Sequence, residues 1–203
     1  VGIFRKIFES FSDQQEHKEK KRNQFIPEVE TSLDELFVVE FIKNGGKFLY
    51  CIDREEASVE FENILEENDW YEKEVFCLEP KLYNLLDENK LVYKNINSPE
   101  FLFVGCESLI AEEGSVMFSS KQIGHAQTHQ LSQNIIVFAT TNQIVRSKSD
   151  GLRMIKNRYK TAFPTNITTF KYFKPVETEN FLHYGSVPKN MYLILMEKCI
   201  NYE

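Results

Sequence analysis

Between residues 105 and 148 the chain gathers most of the side chains whose types and spacing could do chemistry. Glu112 and Glu113 stand before Gly114 and Ser115, and adjacent carboxylates can raise one another's pKa and so supply a general acid or base. A solvated acidic turn between two strands uses the same residues, and residue type alone favours it. Ser115, Ser119 and Ser120, with the backbone of Gly114 and Gly124, could cradle a phosphate or carboxylate, since small residues leave N–H groups free to point at an anion. A plain serine-rich turn is the alternative. Arg146 and Lys148 would close on such an anion only if their loop faces the same cleft; surface charge is their expected role.

His125 and His129 have the i, i+4 spacing that puts two imidazoles on one helix face, one requirement of a metal site. The glutamate of a zinc hydrolase motif is missing and the segment reads as a loop, so no metal site is predicted. Cys51, Cys77, Cys106 and Cys199 are far apart, form no C-x-x-C pair, and are expected to be buried free thiols. Cys106 follows Phe101-Leu-Phe-Val-Gly105 at an expected strand end, where ligands of open α/β sheets bind, but no neighbouring histidine is evident to activate it.

The elements that must position these groups are legible upstream. Ser32 and Glu35 form a capping-box pattern ahead of Leu33, Leu36, Phe37 and Phe41, and Asn44-Gly-Gly46 supplies the stop. A strand follows over 47–52, and Asp53 with Glu56 repeats the box before Ala57, Phe61, Ile64 and Leu65. Residues 75–78 repeat the strand signal, Glu79-Pro80 opens another helix carrying Leu82, Leu85 and Leu86, and Trp70 with Tyr71 caps a core edge. Strands are then expected at 101–104, 115–118, 135–139, 167–170 and 191–196. One helix interrupts them, starting after Ser149, burying Leu152, Ile155 and Tyr159, and closed by Pro164.

Alternation of strand and helix predicts an α/β domain: an open, largely parallel sheet with helices on both faces. It should span residues 25–203 and follow an N-terminal extension, residues 1–24. That extension reads as a helix with Phe4, Ile7, Phe8 and Phe11 at helical spacing and then a polar tail. The 203 residues are 42% apolar and 27% charged, which excludes disorder and collagen-like structure, and they are enough for one sizeable core. A formal charge of -7 argues against nucleic acid as a partner. No stretch is apolar for the roughly 20 residues a membrane span needs and Val1 to Phe11 has no signal-peptide core, so a cytoplasmic protein without a membrane partner is expected.

The run Gly105-Cys-Glu-Ser-Leu-Ile-Ala-Glu-Glu-Gly-Ser-Val-Met-Phe-Ser-Ser120, with Gly124, the strand from Asn134 and Gln143-Ile-Val145, resembles the central signature of the LUD family, the lactate-utilisation protein C group. The likeness runs from about Leu33 to Glu197. It departs from the family pattern at Glu113, His125 and Asn134, and in the stretches Tyr172 to Asn180 and His183 to Pro188.

The resemblance implies a fold similar to the phosphosugar-isomerase and CoA-transferase superfamily. It implies an accessory or regulatory, non-catalytic component of a multi-protein system that oxidises L-lactate to pyruvate. Iron-sulfur clusters are then expected in oxidoreductase partners and no cofactor in this chain. The implied ligand-binding residues are Gly105, Glu107, Gly114, Ser115, Ser119, Ser120, Gly124, His125 and Gln143, facing a small anion. By likeness to the nucleophile loop of the CoA-transferase relatives, Glu112 would attack an acyl thioester, with glycine-exposed N–H groups meeting the oxyanion. That defines a second reading, a stand-alone enzyme of CoA thioesters or phosphorylated metabolites. A third is a non-catalytic ligand-binding or scaffold protein.

Overall fold

The computed structural model describes residues 32–94, 98–173 and 188–197. The expected N-terminal helix and polar tail lie outside them, as do Cys199 and most of the two divergent C-terminal stretches. Helix α1, Leu33–Lys43, begins at Ser32 with the capping box closed in both directions, each bond 3.2 Å. Strand β1, Lys47–Cys51, leads into α2, Arg54–Asn68. The second box is only half made: the Asp53 carboxylate accepts from Glu56 N–H, but the Glu56 carboxylate accepts from Ile52 N–H instead of Asp53.

Strand β2, Val75–Phe76, is followed by a 3-10 turn from Pro80 and by α3, Tyr83–Glu88, which bury Leu82, Leu85 and Leu86. Then come β3, Phe101–Val104; β4, Ser108–Ile110; β5, Ser115–Ser119; the short α4, Ser120–Ile123; β6, Asn134–Thr140; β7, Ile144–Val145; α5, Lys148–Arg158; β8, Ile167–Phe170; and β9, Asn190–Met196.

The strands divide between two sheets. The first is fully parallel in the order β1-β9-β6-β3-β2. Its central strands are apolar on both faces, as parallel strands covered on both sides must be. Leu102, Val104, Ile135, Val137, Leu193 and Leu195 point to one side with Phe37, Val38 and Phe41 of α1. Phe101, Phe103, Ile136, Tyr192 and Ile194 point to the other, against Phe61, Ile64 and Leu65 of α2 and Leu85 and Leu86 of α3. Trp70 stacks on Phe101 at 4.8 Å in this second layer, at the core edge as expected.

The second sheet, β7-β4-β5-β8, is mixed, with β4 and β5 forming an antiparallel hairpin. Leu109, Val116 and Phe118 face the α1 side of the first sheet, while Ile110 and Met117 face Ile155 of α5. This sheet is not foreseen by the run of strand signals, because continuous apolar residues define a buried strand without saying which sheet it joins.

Helix α5 also corrects an expectation. It starts at Lys148 under a Ser147 cap, and Leu152 is exposed. A methyl group on Gly151 would lie 3.2 Å from Ile110 and Met117, so Gly151 and Ile155 form the contact stripe and Leu152 falls beside it.

Candidate functional site

The β4–β5 hairpin places the signature at two separate locations. Glu107 and Ser119 flank its open end, and Glu112 to Gly114 form its tip. The length of β5 sets them about 13 Å apart, at about 3.3 Å per residue.

At the open end, Glu107 is completely buried. Its Oε1 accepts from the Ser119 hydroxyl at 2.6 Å, the Tyr159 hydroxyl at 2.9 Å and Gln122 Nε2 at 3.1 Å, and its Oε2 meets Arg158 Nη1 at 2.6 Å. A carboxylate only accepts and all four partners donate, so this is a satisfied buried anion. Local sequence builds the set. Ser119 caps α4 and its box partner is Gln122, while Arg158 and Tyr159 end α5. Burial first, and then the bond to Glu107, holds the Tyr159 phenol above its ordinary range.

The C-terminal ends of three parallel strands converge beside this carboxylate. Gly105, just after β3, donates its N–H to the Glu79 carboxylate, which follows β2 and pairs with Lys81 at 2.8 Å. A side chain at Gly105 would meet that carboxylate at 2.7 Å. Gln143, after β6, donates from Nε2 to the Cys106 carbonyl at 2.6 Å and is itself fixed by accepting from Thr140 N–H at 2.9 Å. The Gly105-Cys106 segment is therefore clamped at its N–H end from β2 and at its carbonyl end from β6. Burial pushes the Cys106 thiol up, and the Glu107 and Glu79 carboxylates push it the same way, which disfavours the thiolate needed of a nucleophile. Gly124 reaches this edge through Leu78, whose Cδ1 would lie 3.8 Å from a methyl group placed there.

The tip has a different character. Gly114 has φ +56°, and a side chain there would fall 2.2 Å from the Glu40 carbonyl carbon and 2.3 Å from Phe41 N. Asn44, just beyond α1, donates to the carbonyls of Glu113 at 2.7 Å and Gly114 at 3.2 Å. The turn is thus docked on the end of α1. Glu113 pairs with Lys148 at 2.8 Å, and Glu112 N–H donates to the Arg146 carbonyl, leaving the exposed Glu112 carboxylate without a hydrogen bond among the described residues.

Of the expected ligand residues, Gly105, Glu107, Ser119 and Gln143 come together, with Gly124 nearby. Ser115 is fully buried on the face under α5 and its hydroxyl has no partner, a property it shares with Ser108. Ser120 is engaged with the loop before β8, donating from N–H to Asn166 and accepting from Thr165 N–H. His125 lies in the turn after α4 and His129 in a 3-10 turn, both exposed, so no single helix face carries them. Among the described residues no three His, Cys, Asp or Glu side chains are grouped to hold a metal. Cys51 and Cys77 are free and buried, as expected. The spacing pattern misses Glu79, Gln122, Arg158 and Tyr159, whose contribution depends on contacts distant in sequence. Only the capping-box spacing of Ser119 and Gln122 signals any of them beforehand.

A search of curated proteins gives no match. In fold the chain is similar to a DUF162 family protein from Deinococcus radiodurans of known crystal structure, at 10% identity and a TM-score of 0.59, covering 82% of this chain and 96% of that one. The LUD domain model matches residues 19–196, which include both sheets and both ends of the hairpin, and the chain belongs to the LUD domain family.

Proposed function

We propose that the chain serves as an accessory or regulatory, non-catalytic component of an iron-sulfur system that oxidises L-lactate to pyruvate. The family match over residues 19–196 carries this reading. It is supported by how the signature residues are used: Gly105, Glu107, Ser119 and Gln143 bond to one another or to neighbouring strand ends, and Glu112 stands alone at an exposed tip. Such an arrangement favours a rigid shape presented to a partner over an assembled nucleophile with its base and oxyanion donors.

In this reading the iron-sulfur clusters belong to oxidoreductase partners, and the complex works in the cytoplasm. No helix among the described residues is long and apolar enough to cross a membrane, which is compatible with that location. The test is affinity purification of the tagged chain from lactate-grown source cells with mass spectrometry of near-stoichiometric companions. Recovery of iron-sulfur oxidoreductase subunits, together with loss of growth on L-lactate when the gene is deleted, is the expected result. Normal growth and recovery of this chain alone would overturn the proposal.

A further inference from the structure

A buried carboxylate is costly to desolvate, and a hydrophobic residue of similar volume often serves stability as well. What Glu107 adds is orientation. Its Oε2 holds Arg158 by Nη1 at 2.6 Å, while the Arg158 side chain remains 42% exposed. A guanidinium carries five N–H donors in a rigid fork, so an arginine fixed at one nitrogen still presents an ordered edge.

The Tyr159 hydroxyl, bonded to the same carboxylate, fixes the neighbouring ring. Over that ring stand two cations, Arg158 with Cζ 6.0 Å and Lys121 with Nζ 5.8 Å from its centroid. Lys121 is exposed and has no ion-pair partner among the described residues. The charge of Glu107 is matched by Arg158, so the Lys121 charge is in excess, a local positive site on a chain of net charge -7.

We propose that Arg158, held by buried Glu107, and Lys121, beside the Tyr159 ring that the same carboxylate fixes, bind a small oxyanion: a metabolite carboxylate or a phosphate. The guanidinium edge offers paired N–H donors to two oxygens, and Lys121 adds a second positive charge beside the same ring. This site lies at the open end of the hairpin, next to Ser119 and Ser120 and away from Gly114 and Ser115 at the tip. It stands on these contacts and not on the lactate assignment.

The test is calorimetric titration of the full chain with acetate, L-lactate, pyruvate and inorganic phosphate, on wild type, Lys121→Gln and Arg158→Lys. Lys121 is a surface residue, so Lys121→Gln should keep the melting temperature and weaken binding about tenfold, the loss of one charge-assisted hydrogen bond. Arg158→Lys keeps a cation for Glu107 but loses the fork, and should weaken carboxylate binding by about the same factor. Saturation by the carboxylates alone identifies a metabolite acid, and by phosphate alone a phosphate source; either upholds the site. No saturable binding at about 10 mM of any probe, or binding that both variants leave unchanged, overturns it.

Discussion

Glu107 and Glu112 stand at opposite ends of one hairpin, and their surroundings differ in almost every respect. Glu107 is sealed from water and gathers four donors; the Glu112 carboxylate faces solvent without a partner among the described residues. At the first end the side chain is what matters. At the second it is the backbone, because the Gly114 main chain lies directly on α1 and Asn44 grips two of the turn's carbonyls. A shared residue type within a motif thus says little about role until burial and partners are known.

The largest effect should come from Glu107→Ala, which leaves Arg158, Tyr159 and the Gln122 amide without their acceptor. The cavity, with the Tyr159 hydroxyl and Gln122 amide left unpaired, should cost about 3–5 kcal/mol, readable as a lower urea midpoint at unchanged slope. A loss below about 1 kcal/mol would show that the network is not structural. Gly114→Ala should follow at about 3 kcal/mol, since it combines a left-handed backbone with overlap against Glu40 and Phe41. Near-neutral behaviour there would break the claim that the tip is anchored by its backbone.

Alkaline pH separates the two ends next. Cys106 and Tyr159 both lie beside Glu107 and hold their protons above the ordinary values of 9.0 and 10.0, burial being the larger cause in each. Cys51 and Cys77, pushed up by burial to about 12 and about 11, act in the same direction. A pKa raised on folding stabilises fully below the unfolded value and is lost as pH rises through the folded one, so stability should be level up to about pH 9 and fall above it. Glu107→Gln removes one cause of the shift at Cys106 and Tyr159 and should make the fall gentler in urea midpoints measured against pH. An identical alkaline limb in that variant would contradict the coupling. Glu112→Gln should change least, within about 0.5 kcal/mol in stability and with no effect on the alkaline limb. If it instead abolishes turnover of a CoA thioester, the accessory reading fails and Glu112 becomes the nucleophile.

Much of the fold is readable in the residue pattern because its signals are local. Ser32 with Glu35, and Pro80 ahead of Leu82, Leu85 and Leu86, each lie within a turn or two of the helix they specify. The apolar runs at 101–104 and 135–139 are strands because only a strand covered on both faces accommodates such residues at that length. The division into two sheets is not local, since Val116 and Phe118 would suit either. The candidate site was half legible: the signature supplied Glu107, Ser119 and Gln143, but Arg158 and Tyr159 lie about 50 residues further on and carry the spacing of an ordinary helix end.

The α/β alternation, the capped helices, the family and the segment that holds its signature are all readable in the residue order. These follow from periodicity, capping chemistry and ordered motifs, which act over a few residues. That Glu107 is a buried hub and Glu112 an exposed tip follows from long-range packing. A carboxylate's role depends on whether water or donors surround it, and here the donors come from the end of β5, from α4 and from α5, which folding alone brings together at the open end of the hairpin.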